Sequence, residues 1–289
     1  MKLGLVGLGR MGAGIAERLR RAGHEVTGYD QNPAVSQAES LAALVARLQA
    51  PRIVWVMVPA GPPTQAVVDE LADLLASRDV LVDGGNSFYK DSVRRAAEVA
   101  TRGIDYVDAG TSGGIWGLKE GFCLMVGGPR QAFNRIEPLL QALAPEHGYA
   151  YLGDSGAGHY AKMVHNGIEY GLLQAYAEGF HLLEASDYEY ELGNIARLWN
   201  NGSVVRSWLL ELAQAAFERD PALDQLKGYV DDSGEGRWTV NEAVERGVPA
   251  PVISEALFAR FASRDDNSFA ARVIAALRNE FGGHAVREA

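Results

Sequence analysis

The chain carries one cysteine, Cys123, among 289 residues. A single thiol excludes an intrachain disulfide and an all-cysteine metal site. It lies in the run Phe122-Cys123-Leu124-Met125-Val126, which reads as a buried strand. No apolar run approaches the ~18 residues of a membrane-spanning helix. The opening segment is mostly apolar, but Gly7, Gly9, Arg10 and Gly12 interrupt it before the core of a secretion signal is complete. Long Lys/Arg runs are missing too. Against 27 basic residues stand 37 acidic ones, a formal charge of −10, which argues against a sequence-independent footprint on nucleic acid. Hydrophobic residues make up 47% and charged ones 22%, the composition of a globular chain with a sizeable core and about two domains. A cytoplasmic protein is expected, with neither nucleic acid nor membrane as partner.

Through the first half, short apolar runs alternate with helical patterns. Strands are expected at residues 2–6, 25–30, 52–58, 79–83, 106–109 and 122–126, and helices at 12–22 and 41–48. This alternation is the signature of βαβ units feeding a parallel sheet. After Gly153-Asp154-Ser155-Gly156-Ala157-Gly158 the period becomes helical. One long helix is expected over 159–185, too apolar for a simple surface element, then shorter ones at 195–217, 240–247, 252–262 and 269–278.

Gly7-Leu8-Gly9-Arg10-Met11-Gly12 fits the pattern G-x-G-x-x-G. Alone the match is weak in a chain with 33 glycines, but its context is specific. It follows an apolar strand, opens a helix, and precedes by about 20 residues an acid, Asp30, at the end of the next strand. Gly7 permits the tight turn, Gly9 lets a pyrophosphate approach the backbone, and Gly12 lets the helix pack closely. The helix N-terminus stabilises the anion. Asp30 can accept hydrogen bonds from a ribose 2′-OH and repels a 2′-phosphate, so NAD is expected to be preferred; Arg10, in the same loop, keeps NADP open. The expected architecture is α/β: a Rossmann-type doubly wound sheet over residues 1–155, then an all-α domain over 156–289.

Within the long helix, Lys162, His165, Asn166, Glu169 and Tyr170 fall at i, i+3, i+4, i+7 and i+8 and share one face. A solvated stripe is one reading. A buried polar strip is the other, because Met163, Val164 and Ile168 flank it and should pack, and such groups need partners when buried. Two glycine-rich loops, Asp83-Gly84-Gly85-Asn86-Ser87 and Gly110-Thr111-Ser112-Gly113-Gly114, follow strand ends, where ligands bind in open α/β sheets. Loops and strip together read as the walls of one cleft. His24, His147 and His181 read as structural or exposed, and His159 as a cap-region residue.

These residues carry a family resemblance. Gly7 to Gly12, Met57-Val58-Pro59-Ala60-Gly61, the loop from Asp83 to Ser87, Ser112-Gly113-Gly114 and above all Lys162-Met163-Val164-His165-Asn166-Gly167-Ile168-Glu169-Tyr170-Gly171 resemble the decarboxylating 6-phosphogluconate dehydrogenases of the β-hydroxyacid dehydrogenase superfamily. The likeness continues through Arg237-Trp238-Thr239, Phe258-Ala259-Arg260 and the segment from Arg278 to His284, and the length is that of the short bacterial form. It implies oxidative decarboxylation of 6-phosphogluconate to ribulose 5-phosphate and CO2 in the pentose phosphate pathway, with NAD as hydride acceptor and no metal. It further implies that Lys162 is the base at the C3 hydroxyl and then the acid at the enolate oxygen, and that Glu169 protonates C1 of the enediol. Asn166, with Ser112, Gly113, Gly114 and His165, would orient the carboxylate and hydroxyls.

The same resemblance puts Val58, Pro59 and Ala60 beside Gly7, Leu8, Gly9, Arg10, Met11, Gly12 and Asp30 around the cofactor, with Asn86 close to both cofactor and substrate. Tyr170, Arg260 and Arg278 match phosphate-holding positions, and His284 matches a histidine that touches substrate. The family supplies that tail from a neighbouring subunit, which implies a homodimer or homotetramer with shared active sites. Two departures stand out. Ser233 and Glu235 occupy places where long forms carry a phosphate-binding lysine and threonine, which throws phosphate recognition onto Arg260 and Arg278; Gly14 replaces a frequent asparagine. Three alternatives stay open: a non-decarboxylating 3-hydroxy acid dehydrogenase, which would share Lys162 and Asn166 but not need Glu169, Tyr170, Arg278 or His284; a gluconate-type substrate without phosphate; and a non-catalytic NAD-sensing protein.

Overall fold

Seven strands, β1 (Lys2–Val6), β2 (Glu25–Tyr29), β3 (Ile53–Val56), β4 (Val80–Asp83), β5 (Asp105–Ser112), β6 (Cys123–Gly127) and β7 (Tyr149–Gly153), form one sheet in the order β2-β1-β3-β4-β5-β6-β7. The computed structural model describes residues 1–287 and divides into two compact units, Met1–His165 and a second that begins at Asn166. Helices α1 (Arg10–Arg21), α2 (Leu41–Ala46), α3 (Pro62–Leu74) and α4 (Tyr89–Ala100) connect the first five strands; the four-residue α5 (Gly117–Glu120) and α6 (Arg130–Leu143) connect the last three.

Each neighbouring pair is parallel except β5 and β6, which run antiparallel. The parallel sheet expected from the alternation is present in every pair but this one. A parallel crossover takes a dozen or more residues, usually a helix, whereas the β5–β6 link holds only a 3-10 turn, Gly114–Trp116, and α5. β7 was not foreseen: its hydrophobic residues, Tyr149 to Leu152, lie at the sheet edge, where half-buried and exposed positions alternate.

Successive strand side chains point to opposite faces, and the central strands β3 and β4 are buried at every position, as parallel strands covered on both faces are. Leu3, Leu5, Trp55 and Val82 pack against Ile15, Leu19, Ile136 and Leu140 on one side. Val6, Val54, Val56 and Leu81 pack against Leu44, Val68, Leu71 and Val99 on the other. The same period of two corrects the expectation for Cys123. Phe122, Leu124 and Val126 face inward, and the thiol between them is exposed.

Helix α7 (Ala157–Glu184) begins in the first unit and runs on into the second. The second unit continues with α8 (Leu192–Asn200), α9 (Trp208–Arg219), α10 (Glu235–Arg246), α11 (Pro251–Ala262) and α12 (Phe269–Gly282). The single helix expected over 195–217 is two helices. Gly202, at φ +88°, breaks the chain, and the Ser207 side chain caps α9 by accepting from the Leu210 N–H at 3.1 Å. Two small cores form here, one around Phe180, Ala196, Leu210 and Phe217, the other around Tyr170, Ala256 and Leu257. α12 buries no residue and presents Phe269, Val273, Ile274, Leu277 and Phe281 to solvent. Among the described residues no helix is long and apolar enough to cross a membrane.

Candidate active site

The chain leaves β1 through Gly7, at φ +91°, where a Cβ would collide with the Met57 carbonyl. A Cβ on Gly12 would collide with the Gly7 carbonyl oxygen, so only glycine lets α1 start this close to the turn. At Gly9 the Cβ position meets nothing within 4 Å, and no side chain caps the N-terminus of α1. Open space beside an uncapped helix N-terminus suits a pyrophosphate, which takes backbone N–H groups and the positive end of the helix dipole. Asp30 braces the turn: its Oδ2 accepts from the Leu8 N–H at 2.6 Å and its Oδ1 from the Asn32 N–H at 2.8 Å. Each oxygen keeps a second lone pair for a ribose hydroxyl. Beside the turn lies a cavity of about 540 Å³, lined by Leu8, Arg10, Gly14, Val35, Ile115 and Phe122 among others.

At the end of β4, Asp83 is fully buried. Its Oδ2 accepts from the Ser87 and Tyr106 hydroxyls, each at 2.7 Å, and from Arg95 Nη1 at 3.4 Å; Oδ1 accepts from the Gly85 N–H at 3.1 Å. Arg95, only 1% exposed, also donates to the Gly61 carbonyl at 3.3 Å and to Gln65 Oε1 at 2.9 Å. One buried guanidinium thus ties the segment 57–61 to the loop that carries Asn86. Burial, reinforced by the Asp83 charge, pushes the Tyr106 phenol well above its ordinary range. Neither Arg95 nor Tyr106 belongs to a motif in the sequence. A signal was available: the buried stripe of α4 is Ser92, Arg95 and Val99, a helical face with a guanidinium where an apolar side chain is usual.

Asp108, on β5 and fully buried, caps α7. Its Oδ1 accepts from the Gly156 N–H at 2.7 Å and its Oδ2 from the His159 N–H at 2.8 Å. The helix then lies directly on the sheet. A Cβ on Gly158 would stand 2.6 Å from the Asp108 carbonyl oxygen and 2.8 Å from the Gly127 nitrogen, and a Cβ on Gly110 would collide with that of Lys162. Lys162 is in consequence only 7% exposed, near the carboxyl end of β5, and Ser112 Oγ lies 3.4 Å from His165 Nε2. Lys162, Ser112 and His165 are therefore brought together at the sheet edge that also carries the turns 7–12, 57–61 and 83–87. The strip is not a solvated stripe: Asn166 and Tyr170 are 8% and 5% exposed. Ile168, expected to pack, is exposed. His159 lies in the cap region, as expected, its backbone N–H held by Asp108; its ring is buried, with Nδ1 2.7 Å from Ser92 Oγ.

In the second unit the Arg260 guanidinium stacks on the Tyr170 ring, 3.5 Å from its centroid. The Tyr170 hydroxyl is buried and makes no hydrogen bond among the described residues. A Cβ on Gly236 would collide with the ring, so glycine lets α10 close over it. Asp232 accepts from Arg237 Nε at 2.6 Å and Arg264 Nη2 at 3.0 Å; these bonds, that from Arg237 foremost, hold its carboxyl below the usual range. Glu235 is buried and takes a 2.6 Å hydrogen bond from the Ser233 hydroxyl. Arg278 and His284 stand apart on the exposed end of α12 and just beyond it. Among the described residues neither makes a hydrogen bond, ion pair or ring contact with Tyr170 or Arg260.

Fold and glycine-rich turn together define a Rossmann-type dinucleotide-binding protein with an attached helical domain. Residues 2–153 match the NAD binding domain of 6-phosphogluconate dehydrogenase, and residues 158–277 match the 6-phosphogluconate dehydrogenase C-terminal domain. The chain belongs to the 6-phosphogluconate dehydrogenase family. It is 46% identical over 297 residues to the NAD(+)-dependent, decarboxylating 6-phosphogluconate dehydrogenase of Haloferax volcanii, covering 99% of this chain and 98% of that one. Among solved structures, the 6-phosphogluconate dehydrogenase of Plasmodium falciparum superimposes with a TM-score of 0.80 at 25% identity, covering all of this chain and 66% of that one. The 3-hydroxyisobutyrate dehydrogenase of Mycobacterium tuberculosis shares the fold, with a TM-score of 0.73 at 24% identity over 96% of this chain and 99% of that one.

Proposed function

We propose that this protein oxidises and decarboxylates 6-phosphogluconate to ribulose 5-phosphate and CO2, with NAD preferred over NADP. The observation that carries the reading is the buried Lys162, seated against Gly110 on the same helix as Glu169 and Tyr170. Gly7 to Gly12, Asp30, Val58 to Ala60 and Asn86 would hold the cofactor, which when bound supplies the acceptor for the C3 hydride. Lys162, as the free amine, takes the C3 hydroxyl proton. The ketone so formed lies β to the carboxylate, so the C1–C2 bond can break with CO2 leaving and its electron pair delocalised onto the C3 oxygen. Lys162, now an ammonium, returns its proton to that oxygen. Glu169, two turns along α7, then protonates the carbon that lost CO2 while the Lys162 amine takes the proton back from the enediol oxygen, leaving the ketone of the product. Ser112, Gly113, Gly114, His165 and Asn166 orient the carboxylate and hydroxyls.

Tyr170 and Arg260 receive the phosphate, with Arg278 and His284 delivered by a second copy of the chain. The apolar face of α12, with no cover from its own chain, supports assembly through this element. Residues 1–155 then serve the dinucleotide, and 156–289 the substrate and the subunit contact. The test is NADH formation with 6-phosphogluconate, gluconate and 3-hydroxyisobutyrate, with CO2 trapped. A large preference for 6-phosphogluconate with one CO2 per NADH is expected. Turnover of another acid without CO2 would overturn the proposal.

A further inference from the structure

Where the first turns of α4 and α7 meet, two polar side chains are sealed together away from solvent. Ser92, the fourth residue of α4, and His159, the third of α7, are 0% and 1% exposed, with Oγ and Nδ1 2.7 Å apart. The Ser92 hydroxyl also lies 3.4 Å from the Phe88 carbonyl of its own helix. The Tyr89 and Tyr160 rings meet edge to face at 4.9 Å, and a Cβ on Gly156 would come within 2.6 Å of the Val93 side chain. His159 Nε2 is buried, with no hydrogen-bond partner among the described residues. Over a phenyl ring of similar outline, the imidazole therefore adds one hydrogen bond, to α4, at the cost of a buried nitrogen left unsatisfied.

Both ends of this bond lead into the candidate site. Ser92 sits one turn into the helix that begins directly after the 83–88 loop, and its backbone N–H bonds the Phe88 carbonyl at 3.2 Å, two residues from Asn86. His159 sits one turn before Lys162, on a helix end fixed to β5 through Asp108. Ring and methyl contacts tolerate sliding, whereas a hydrogen bond of this length fixes register and rotation. We propose that the Ser92–His159 hydrogen bond is the pin that sets the Asn86 loop against Lys162, making both residues positioning residues for the reaction. This rests on the reading of Asn86 and Lys162 given above.

Four variants test it: Ser92→Ala, His159→Phe, His159→Asn, whose amide reaches the Nδ1 position, and Asn86→Ala. Kd for NAD is measured by calorimetry alongside kcat, with circular dichroism as the check on folding. Ser92→Ala and His159→Phe are expected to lower kcat about tenfold and weaken NAD several-fold with a native spectrum, while His159→Asn stays within about threefold of wild type. In an Asn86→Ala background, Ser92→Ala should cost less than a further twofold, because there is no longer an amide to position. Wild-type kcat and Kd in both Ser92→Ala and His159→Phe would overturn the pin, as would a slow Asn86→Ala whose cost multiplies with that of Ser92→Ala. A wild-type rate in Asn86→Ala would overturn the reading of Asn86, and the pin with it. Should His159→Phe not fold, Ser92→Ala and its cycle decide alone.

Discussion

Gly110 and Lys162 stand in backbone-to-side-chain contact so close that β5 has no room for a Cβ opposite the lysine. The approach places an amine among buried groups near the carboxyl end of a strand, where open α/β sheets bind ligands. Gly110→Ala must push α7 off the sheet. Overpacking of this kind costs about 1–3 kcal/mol. Urea unfolding should show that loss, and kcat should fall at least a hundredfold because the lysine moves with its helix. Wild-type turnover in Gly110→Ala would show that the contact does not position Lys162.

Asp30 braces the Gly7–Gly12 turn through Leu8 and, in the proposed function, faces the ribose. Asp30→Asn keeps one oxygen for the Leu8 N–H, loses the acceptor for the Asn32 N–H, and removes the charge that repels a 2′-phosphate. The NAD to NADP ratio of kcat/KM should fall about tenfold or more, with a modest fall in melting temperature from the lost bond. An unchanged ratio would remove Asp30 from cofactor choice.

Arg95 and Asp83 form a buried ion pair that also anchors Ser87 and the Gly61 carbonyl. Removing one member of such a pair leaves an uncompensated charge, at about 3–5 kcal/mol. Arg95→Met should show this loss in denaturant titration and should weaken NAD, because both loops beside the cofactor lose a tether. Arg95→Lys keeps the charge but not the fork of donors, and should fall between.

Tyr170 offers a clean separation of stability from binding. Its hydroxyl has no hydrogen-bond partner among the described residues, so Tyr170→Phe should unfold no more easily than wild type. A hydrogen bond to a charged group contributes about 1.5–3 kcal/mol, so KM for 6-phosphogluconate should rise roughly tenfold to a hundredfold. KM for gluconate should stay put. Equal changes for the two acids would place the phosphate elsewhere.

Arg278 tests the shared site. Lys162→Met and Arg278→Ala chains, each inactive alone, should recover some activity when co-expressed, since one composite site in the mixed assembly would hold both intact residues. Mixed oligomers verified by mass spectrometry and still inactive would show that each chain completes its own site.

Much of this was written in local sequence. The glycine-rich turn needs only residues that tolerate close backbone approach, the helical spacing of Lys162, His165, Asn166, Glu169 and Tyr170 is fixed by 3.6 residues per turn, and the apolar runs of β1, β3 and β4 are continuous because both faces are covered. What only the tertiary structure decided depends on groups far apart in the chain. The reversal of β6 follows from the shortness of its connection, and the exposure of Cys123 follows from which face the sheet turns outward. The capping of α7 by Asp108, the pairing of Arg95 with Asp83, and the seat of Lys162 on Gly110 join residues that lie on different elements of the fold. Sequence carries the chemistry and the period of each segment; which buried charge finds which partner is decided by the sheet order, because burial makes an unpaired polar group too costly to leave and only the folded chain brings its partner within reach.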